Sequence, residues 1–217
     1  NVEWVWGYRE NDLLGGHDPY SASKAAAELV FSSYTRSFFH DRVSLGAATV
    51  RAGNVIGGGD WAVDRIIPDC IRAIEAGKPI SIRNPNATRP WQHVLEPLSG
   101  YLLLAARLYE EPNKWKGSWN FGPSTHEVCT VQKVAEVIIE HLGKGEIEIS
   151  NSPGQLHEAH LLQLNCDKAH QLLNWHPRWN SEKTLQKTAL WYKTLMNGGE
   201  AEMITRKQIY EFFPELI

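Results

Sequence analysis

The sequence predicts an α/β protein with a largely parallel sheet, and three observations carry that reading. Short strand-like runs (Val43 to Val50, Pro79 to Arg83, Ser118 to Phe121, Glu146 to Ser150) alternate with longer stretches of helical periodicity. Such alternation is the pattern of strand–helix–strand crossovers, which lay strands side by side and parallel. Breaker-rich loops such as 1–19 and 51–60 stand beside the runs, and no internal repeat or low-complexity segment competes with the pattern.

Taken in order, residues 1–19 read as loop, because Gly7, Asn11-Asp12, Gly15-Gly16 and Asp18-Pro19 all disfavour regular structure. Pro19 suits the first position of a helix, since its missing N–H is not needed there. That helix is predicted over Tyr20 to Phe39, with Leu29 and Phe31 as apolar anchors. The strand Val43 to Val50 leads into the loop 51–60. A helix follows over Ala62 to Ala76, where Ile66, Ile67, Cys70, Ile71 and Ile74 recur at helical spacing and Gly77 ends the run. Beyond the short strand Pro79 to Arg83 lies an apolar helix from about Val94 to Tyr109. Gly122-Pro123 turns the chain after the strand Ser118 to Phe121. Thr130 is a good N-cap for a helix carrying Val131, Val134, Val137, Ile138 and Leu142. Cys166 to Leu173 and Lys183 to Met196 are predicted as further helices.

Composition narrows the class. With 217 residues, 42% of them hydrophobic, the chain can bury a substantial core. The net charge is −3 and the Lys and Arg residues are scattered, which argues against a dedicated nucleic-acid or membrane-surface protein. No apolar run reaches the ~18 residues of a membrane span. The three cysteines, Cys70, Cys129 and Cys166, are odd in number and widely spaced, so neither a disulfide framework nor a CxxC metal site is indicated. Reduced thiols in a cytoplasmic protein follow from that. The chain starts at Asn1 in mid-stream, which leaves an N-terminal targeting segment open.

Tyr20-Ser21-Ala22-Ser23-Lys24 is the most informative stretch. Positions four apart on a helix lie one above the other, so phenol and ammonium can address one reaction centre. A free Tyr titrates near pH ~10. A fixed cation favours phenolate and brings that value down, allowing proton removal from a substrate hydroxyl. Any Tyr with a Lys four residues on meets the pattern, and a solvated helix face is the bland alternative. Context strengthens it: the pair opens an Ala-rich helix and precedes a strand ending in Arg51-Ala52-Gly53-Asn54.

Tyr-x-x-x-Lys, then a strand, then Arg51-x-x-Asn54-Val55-Ile56-Gly57 resembles the second half of the extended short-chain dehydrogenase/reductase core, a branch that modifies nucleotide sugars. Residues 4–12, 15–20, 58–62 and 64–69 resemble CDP-glucose 4,6-dehydratases more closely. So do Arg83-Asn84-Pro85 and Arg89-Pro90-Trp91-Gln92-His93-Val94. The resemblance covers essentially the whole chain. It implies the C-terminal part of a Rossmann-type doubly wound parallel sheet plus a small α/β substrate lobe. Residues 1–60 would complete the NAD-binding domain, and 61–217 would be mainly the lobe, with about 92–122 returning to the Rossmann part.

The resemblance also assigns roles. Tyr20 and Lys24 are implied as catalytic residues that also touch NAD, with Arg51 beside them on the cofactor side. Asn54 would hold the substrate diphosphate; a turn-forming Asn before Gly57 is the alternative. Arg89 would contact the nucleotide phosphate, and a surface Arg stacked on Trp91 is its alternative. Arg65, His93 and Asn120 are further substrate candidates; Arg65 can equally lie on a solvated helix face, and Asn120 can simply close a turn. His157-Glu158-Ala159-His160 departs from the HExxH metal pattern, so no metal is expected, and the resemblance places His157 over the nucleotide. With nine Trp in the chain, interior packing is the default for Trp61 and Trp91, though either can pack on a base or sugar.

The implied reaction oxidises C4 of CDP-glucose, eliminates water across C5 and C6, and returns hydride to C6. The Gly-rich dinucleotide turn of the family is not among the 17 glycines; Gly57-Gly58-Gly59 follows a late strand and lacks the spacing. The family's Thr and acidic elimination residues precede the segment where Asn1 begins. The chain therefore reads as a fragment that would bind NAD poorly alone. The rivals are a nucleotide-sugar epimerase or reductase, which shares Tyr20 and Lys24, and a non-catalytic nucleotide-sugar-binding module. The family is also said to pair through the Tyr-bearing helix, which implies a homodimer or a dimer of dimers. Phe31, Tyr34 and Phe38 are candidates for that contact. The choice of cytosine as base rests on the resemblance alone.

Overall fold

A computed structural model describes residues 6–124, 129–150 and 163–216. Its first helix, α1, spans Pro19–Tyr34. The Asp18 carboxylate accepts the Ser21 N–H at 2.9 Å and the Ser21 hydroxyl at 2.6 Å, capping donors that the helix leaves open. The predicted run to Phe39 continues as a π-helical turn, Thr35–Phe39. The Thr35 hydroxyl donates to the carbonyls of Phe31 and Ser32, both at 3.0 Å, and so competes for the helical ladder where the wider turn begins.

The strand predicted at 43–50 forms later, as β1, Ala48–Ala52. Residues 39–45 instead close turns through the Arg42 and Leu45 N–H groups. Then come β2 (Asn54–Ile56), α2 (Ile66–Glu75), β3 (Ile80–Ile82), β4 (Thr88–Arg89), β5 (Trp91–His93) and α3 (Leu95–Glu110). After these lie β6 (Gly117–Phe121), β7 (Cys129–Thr130), α4 (Val131–Leu142), β8 (Ile147–Ile149), α5 (Asp167–Leu173), α6 (Ser181–Met196) and α7 (Ala201–Phe212). Asp64 sits at φ 60° and Arg65 is extended, which delays α2 by four residues from its predicted start at Ala62. Thr130 caps α4 as expected, accepting the Lys133 N–H at 3.1 Å.

Among the described residues, three of the four strand pairings are parallel: β1 with β6, β2 with β5 and β3 with β8. The fourth, β4 with β7, is antiparallel. Strands β1 and β6 run in register from Ala48 opposite Gly117 to Ala52 opposite Phe121.

Among the described residues the apolar interior forms three clusters. The largest joins α2, β3, α4 and α6 through residues such as Ile71, Ile80, Ile138 and Tyr192. A second packs α3, β6 and α5 around Leu104, Trp119, Phe121 and Trp175. A third holds Leu95, Trp179 and Phe212. Between clusters two and three lies Glu96, wholly buried, whose carboxylate accepts the backbone N–H groups of Arg178 (3.0 and 3.1 Å) and Trp179 (2.7 Å).

Gly58 shows how closely the loop after β2 meets α6. A Cβ there would lie 2.0 Å from Cδ2 of Trp191, a large and mostly buried ring. Gly58→Ala must therefore displace the loop or the helix, and a loss of about 1–3 kcal/mol is expected from such overpacking. A urea melt of the variant checks this.

Candidate active site

Tyr20 and Lys24 lie in the first turns of α1, with the Lys24 Nζ 5.4 Å from the centroid of the Tyr20 ring. Tyr20 is 70% exposed, so its hydroxyl is open to a ligand. Arg65, at the entry to α2, donates to the Asp60 carboxylate at 2.8 Å. That bond, above all, raises the guanidinium pKa, and Tyr20 adds a smaller electrostatic contribution.

Beneath the pair lies a polar network. Arg51 on β1 donates from Nε to Glu28 of α1 at 2.7 Å and from Nη1 to the Glu10 carbonyl at 3.2 Å. The other Glu28 oxygen accepts the Thr49 hydroxyl at 2.9 Å and the Ser118 hydroxyl at 3.2 Å. The Arg51 hydrogen bond, the largest influence, holds the Glu28 carboxyl below its ordinary pKa against the opposing effect of burial. The guanidinium expected on the cofactor side is therefore engaged with the helix that carries Tyr20 and Lys24.

The remaining candidates separate by burial. Asn54 opens β2 opposite Trp91 and is half-buried. Arg89 is half-buried on β4, donating to the Thr88 carbonyl at 2.8 Å. Asn120 is fully buried, and its amide donates to the carbonyls of Tyr8 (3.0 Å) and Asn165 (3.1 Å). Through its amide N–H groups it fastens two chain segments to β6. His93 is interior as well. It is 2% exposed, its ring packs against Trp179 at 4.9 Å, and its Nδ1 accepts the Leu95 N–H at 3.3 Å. His157 lies outside the described residues. Trp91 is buried and donates to the Cys129 carbonyl at 3.3 Å, so it belongs to the interior. Trp61 is 48% exposed and edge-on to Tyr192. The Gly57–Gly59 turn is not a phosphate cradle, because the Trp191 ring fills the space beside Gly58.

His93 has a consequence for stability. Burial, its largest influence, pulls the imidazole from 6.5 down to about 4. The unfolded chain protonates first as pH falls, so the stabilisation is complete above pH 6.5 and is lost on the way down to about 4. Up to about 3 kcal/mol is involved, taking roughly 1.4 kcal/mol per pKa unit. His93→Asn keeps an acceptor for the Leu95 N–H and removes the titration. Urea midpoints at pH 7 and pH 5 should differ less for it than for the unmodified protein.

The family model described as GDP-mannose 4,6 dehydratase matches residues 5–188. The chain belongs to this dehydratase family. Among its relatives, the CDP-glucose 4,6-dehydratase of Salmonella typhimurium strain LT2 is 46% identical over 216 residues, covering 98% of this chain and 60% of the relative. The chain thus spans about three-fifths of the length of that curated relative. The structure of dTDP-glucose 4,6-dehydratase from Bacillus anthracis, in complex with NAD, superposes with a TM-score of 0.71 at 23% identity, covering 87% of this chain and 56% of that one. UDP-glucose 4-epimerase from Thermotoga maritima, with UDP-glucose, gives 0.72 at 19% identity, covering 90% and 60%. These likenesses establish the α/β, Rossmann-type fold of the family.

The family chain carries site-building residues that the sequence alone did not single out. Glu28 is the main one, and its signal was legible as a further step of four beyond Lys24. Glu10, whose carboxylate accepts the Asn120 N–H at 3.0 Å, and Lys168, which donates to the Ser118 carbonyl at 2.7 Å, gave no local signal. Tyr192, whose hydroxyl donates to the Asp60 carbonyl at 2.7 Å, supports the loop from which Arg65 emerges.

Proposed function

We propose that this chain forms the Tyr–Lys and nucleotide-sugar-binding part of an NAD-dependent CDP-glucose 4,6-dehydratase. The observation that carries the reading is the 46% identity to such an enzyme along 98% of the chain, with Tyr20 and Lys24 paired and open at the head of α1. An exposed phenol and ammonium on one helix face suit a cofactor ribose and a sugar hydroxyl together. When bound, NAD supplies temporary acceptance of hydride from sugar C4 and its return to C6. Tyr20 takes the proton of the sugar 4-hydroxyl, leaving the C4 oxygen free to become a ketone. Lys24, beside Tyr20 on the same helix face, donates to the ribose. Asn54, Arg65 and Arg89 supply donors for the diphosphate, whose charge calls for Arg and Asn partners. His157 is assigned to the base or ribose.

Residues 1–60 and about 92–122 form the dinucleotide-domain part on this reading, and most of 61–217 forms the substrate lobe. The packing of α5 on β6 supports adding 167–175 to the former. The exposed Leu29, Val30, Tyr34 and Phe38 of α1 and its π-helical extension support a homodimer, or a dimer of dimers, joined there. Three unpaired cysteines support a cytoplasmic location, and no helix among the described residues is long and apolar enough to cross a membrane.

Incubating the full-length protein with NAD and CDP-glucose tests the reading. A nucleotide-sugar product lighter by one water, carrying a 4-keto group, is expected. An isomer of unchanged mass would identify a 4-epimerase, and no conversion alongside tight CDP-glucose binding would identify a non-catalytic module.

A further inference from the structure

We propose that the Glu28–Arg51 ion pair is the positioning element that sets Tyr20 and Lys24 against the sheet; this rests on the reading of that pair as catalytic. Glu28 follows Lys24 by four residues and Tyr20 by eight. Each step of four advances about 40° around a helix, so the three side chains share one side of α1.

Within this chain helix α1 has no buried residue, and its exposed Leu29, Val30 and Tyr34 are assigned to the dimer contact, so on the sheet side a polar anchor sets its rotation. Glu28 supplies that anchor. Its carboxylate reaches two strands at once, accepting from Arg51 and Thr49 on β1 and from Ser118 on β6. The ion pair is largely shielded, with 16% of the Glu28 side chain and 19% of the Arg51 side chain exposed. A charged pair in such surroundings fixes direction as well as distance. The Thr49 and Ser118 hydroxyl oxygens lie 2.9 Å apart and share one Glu28 oxygen, which brings the two strands together under the helix.

Arg51 extends the arrangement to the loop before α1. Its second hydrogen bond goes to the Glu10 carbonyl, and the Glu10 side chain in turn accepts from the Asn120 backbone. The segment leading into Tyr20 and the turn following Lys24 are thereby referred to the same strands. Removing Glu28 leaves α1 capped and helical but without its anchor on β1 and β6, which shifts Tyr20 and Lys24 together away from sugar and ribose.

The test uses the full-length protein, with Glu28→Ala, the isosteric Glu28→Gln, Arg51→Lys and Tyr20→Phe compared. Misplacement by about 1 Å can cost up to roughly 100-fold in rate, so kcat for Glu28→Ala should fall by about 10-fold to 100-fold. KM for CDP-glucose should change much less. NAD affinity, read by fluorescence titration without substrate, should weaken in parallel. Glu28→Gln should show the same changes in smaller degree, and it decides the matter if Glu28→Ala does not fold. Lower melting temperatures with kcat and NAD affinity unchanged would reduce the ion pair to a stability role and overturn the proposal. Retained turnover in Tyr20→Phe would remove the catalytic reading, and the proposal with it. Loss of turnover in Tyr20→Phe beside unaffected Glu28 variants would overturn the positioning role alone.

Discussion

Tyr20→Phe in the full-length protein should lower kcat for CDP-glucose by about 10²- to 10⁴-fold, the span that a positioned acid–base group supplies. The ring stays in place, so Lys24 keeps its apolar neighbour 5.4 Å away and the helix keeps its Asp18 cap. CDP-glucose binding should therefore hold within a few-fold. Separation of kcat from binding assigns Tyr20 to the proton transfer rather than to the fold. Equal loss of both would mean that the hydroxyl serves binding, and steady-state kinetics beside a binding titration reads the difference.

Glu96→Ala should be the most destabilising of the substitutions considered. The carboxylate is 0% exposed and receives backbone N–H groups from two consecutive residues, Arg178 and Trp179. Truncation leaves those donors without their acceptor in the interior, and buried groups stripped of a charged partner cost about 1–3 kcal/mol each. A total near 3 kcal/mol is expected, which for a chain of this size lowers the melting temperature by roughly 6–12 °C. Arg178 should feel the change as well, since it also donates to the Phe212 carbonyl at 2.7 Å and pairs with Glu215 at 3.0 Å. The C-terminal end of α7 should loosen first under hydrogen exchange. Glu96→Gln keeps one acceptor oxygen and should lose less.

The elements that were legible in the sequence are those whose signals are local. Asp18-Pro19 announced α1, and Thr130 with the Val134, Val137 and Ile138 stripe announced α4, which ends at Gly143 with φ 78°. Helix α7 went unread because its buried face alternates Ile204, Gln208 and Phe212, and the polar middle residue hides the period; its cap, Glu200, makes no side-chain bond. Strands β2, β4, β5 and β7 are two or three residues long and exist only through partners more than thirty residues away. No local pattern specifies such pairings.

The site shows the same division. Tyr20 and Lys24 share a helix face because four residues separate them, which the sequence states directly. His93 and Asn120 were assigned by resemblance, and only tertiary packing reveals that Trp179 covers the one and that Tyr8 and Asn165 occupy the amide of the other. Arg51 was placed beside the cofactor for the same reason. Its engagement with Glu28 depends on how α1 lies over β1, which no spacing within either element discloses.

The central claim is that the protein carrying this chain eliminates water from CDP-glucose after oxidation at C4. CDP-glucose bearing deuterium at C4 tests it most directly, with the full-length protein, NAD and mass and NMR analysis of the product. The account predicts a 4-keto-6-deoxy sugar with the deuterium on C6. Deuterium retained at C4, in starting material or in its C4 epimer, would contradict it.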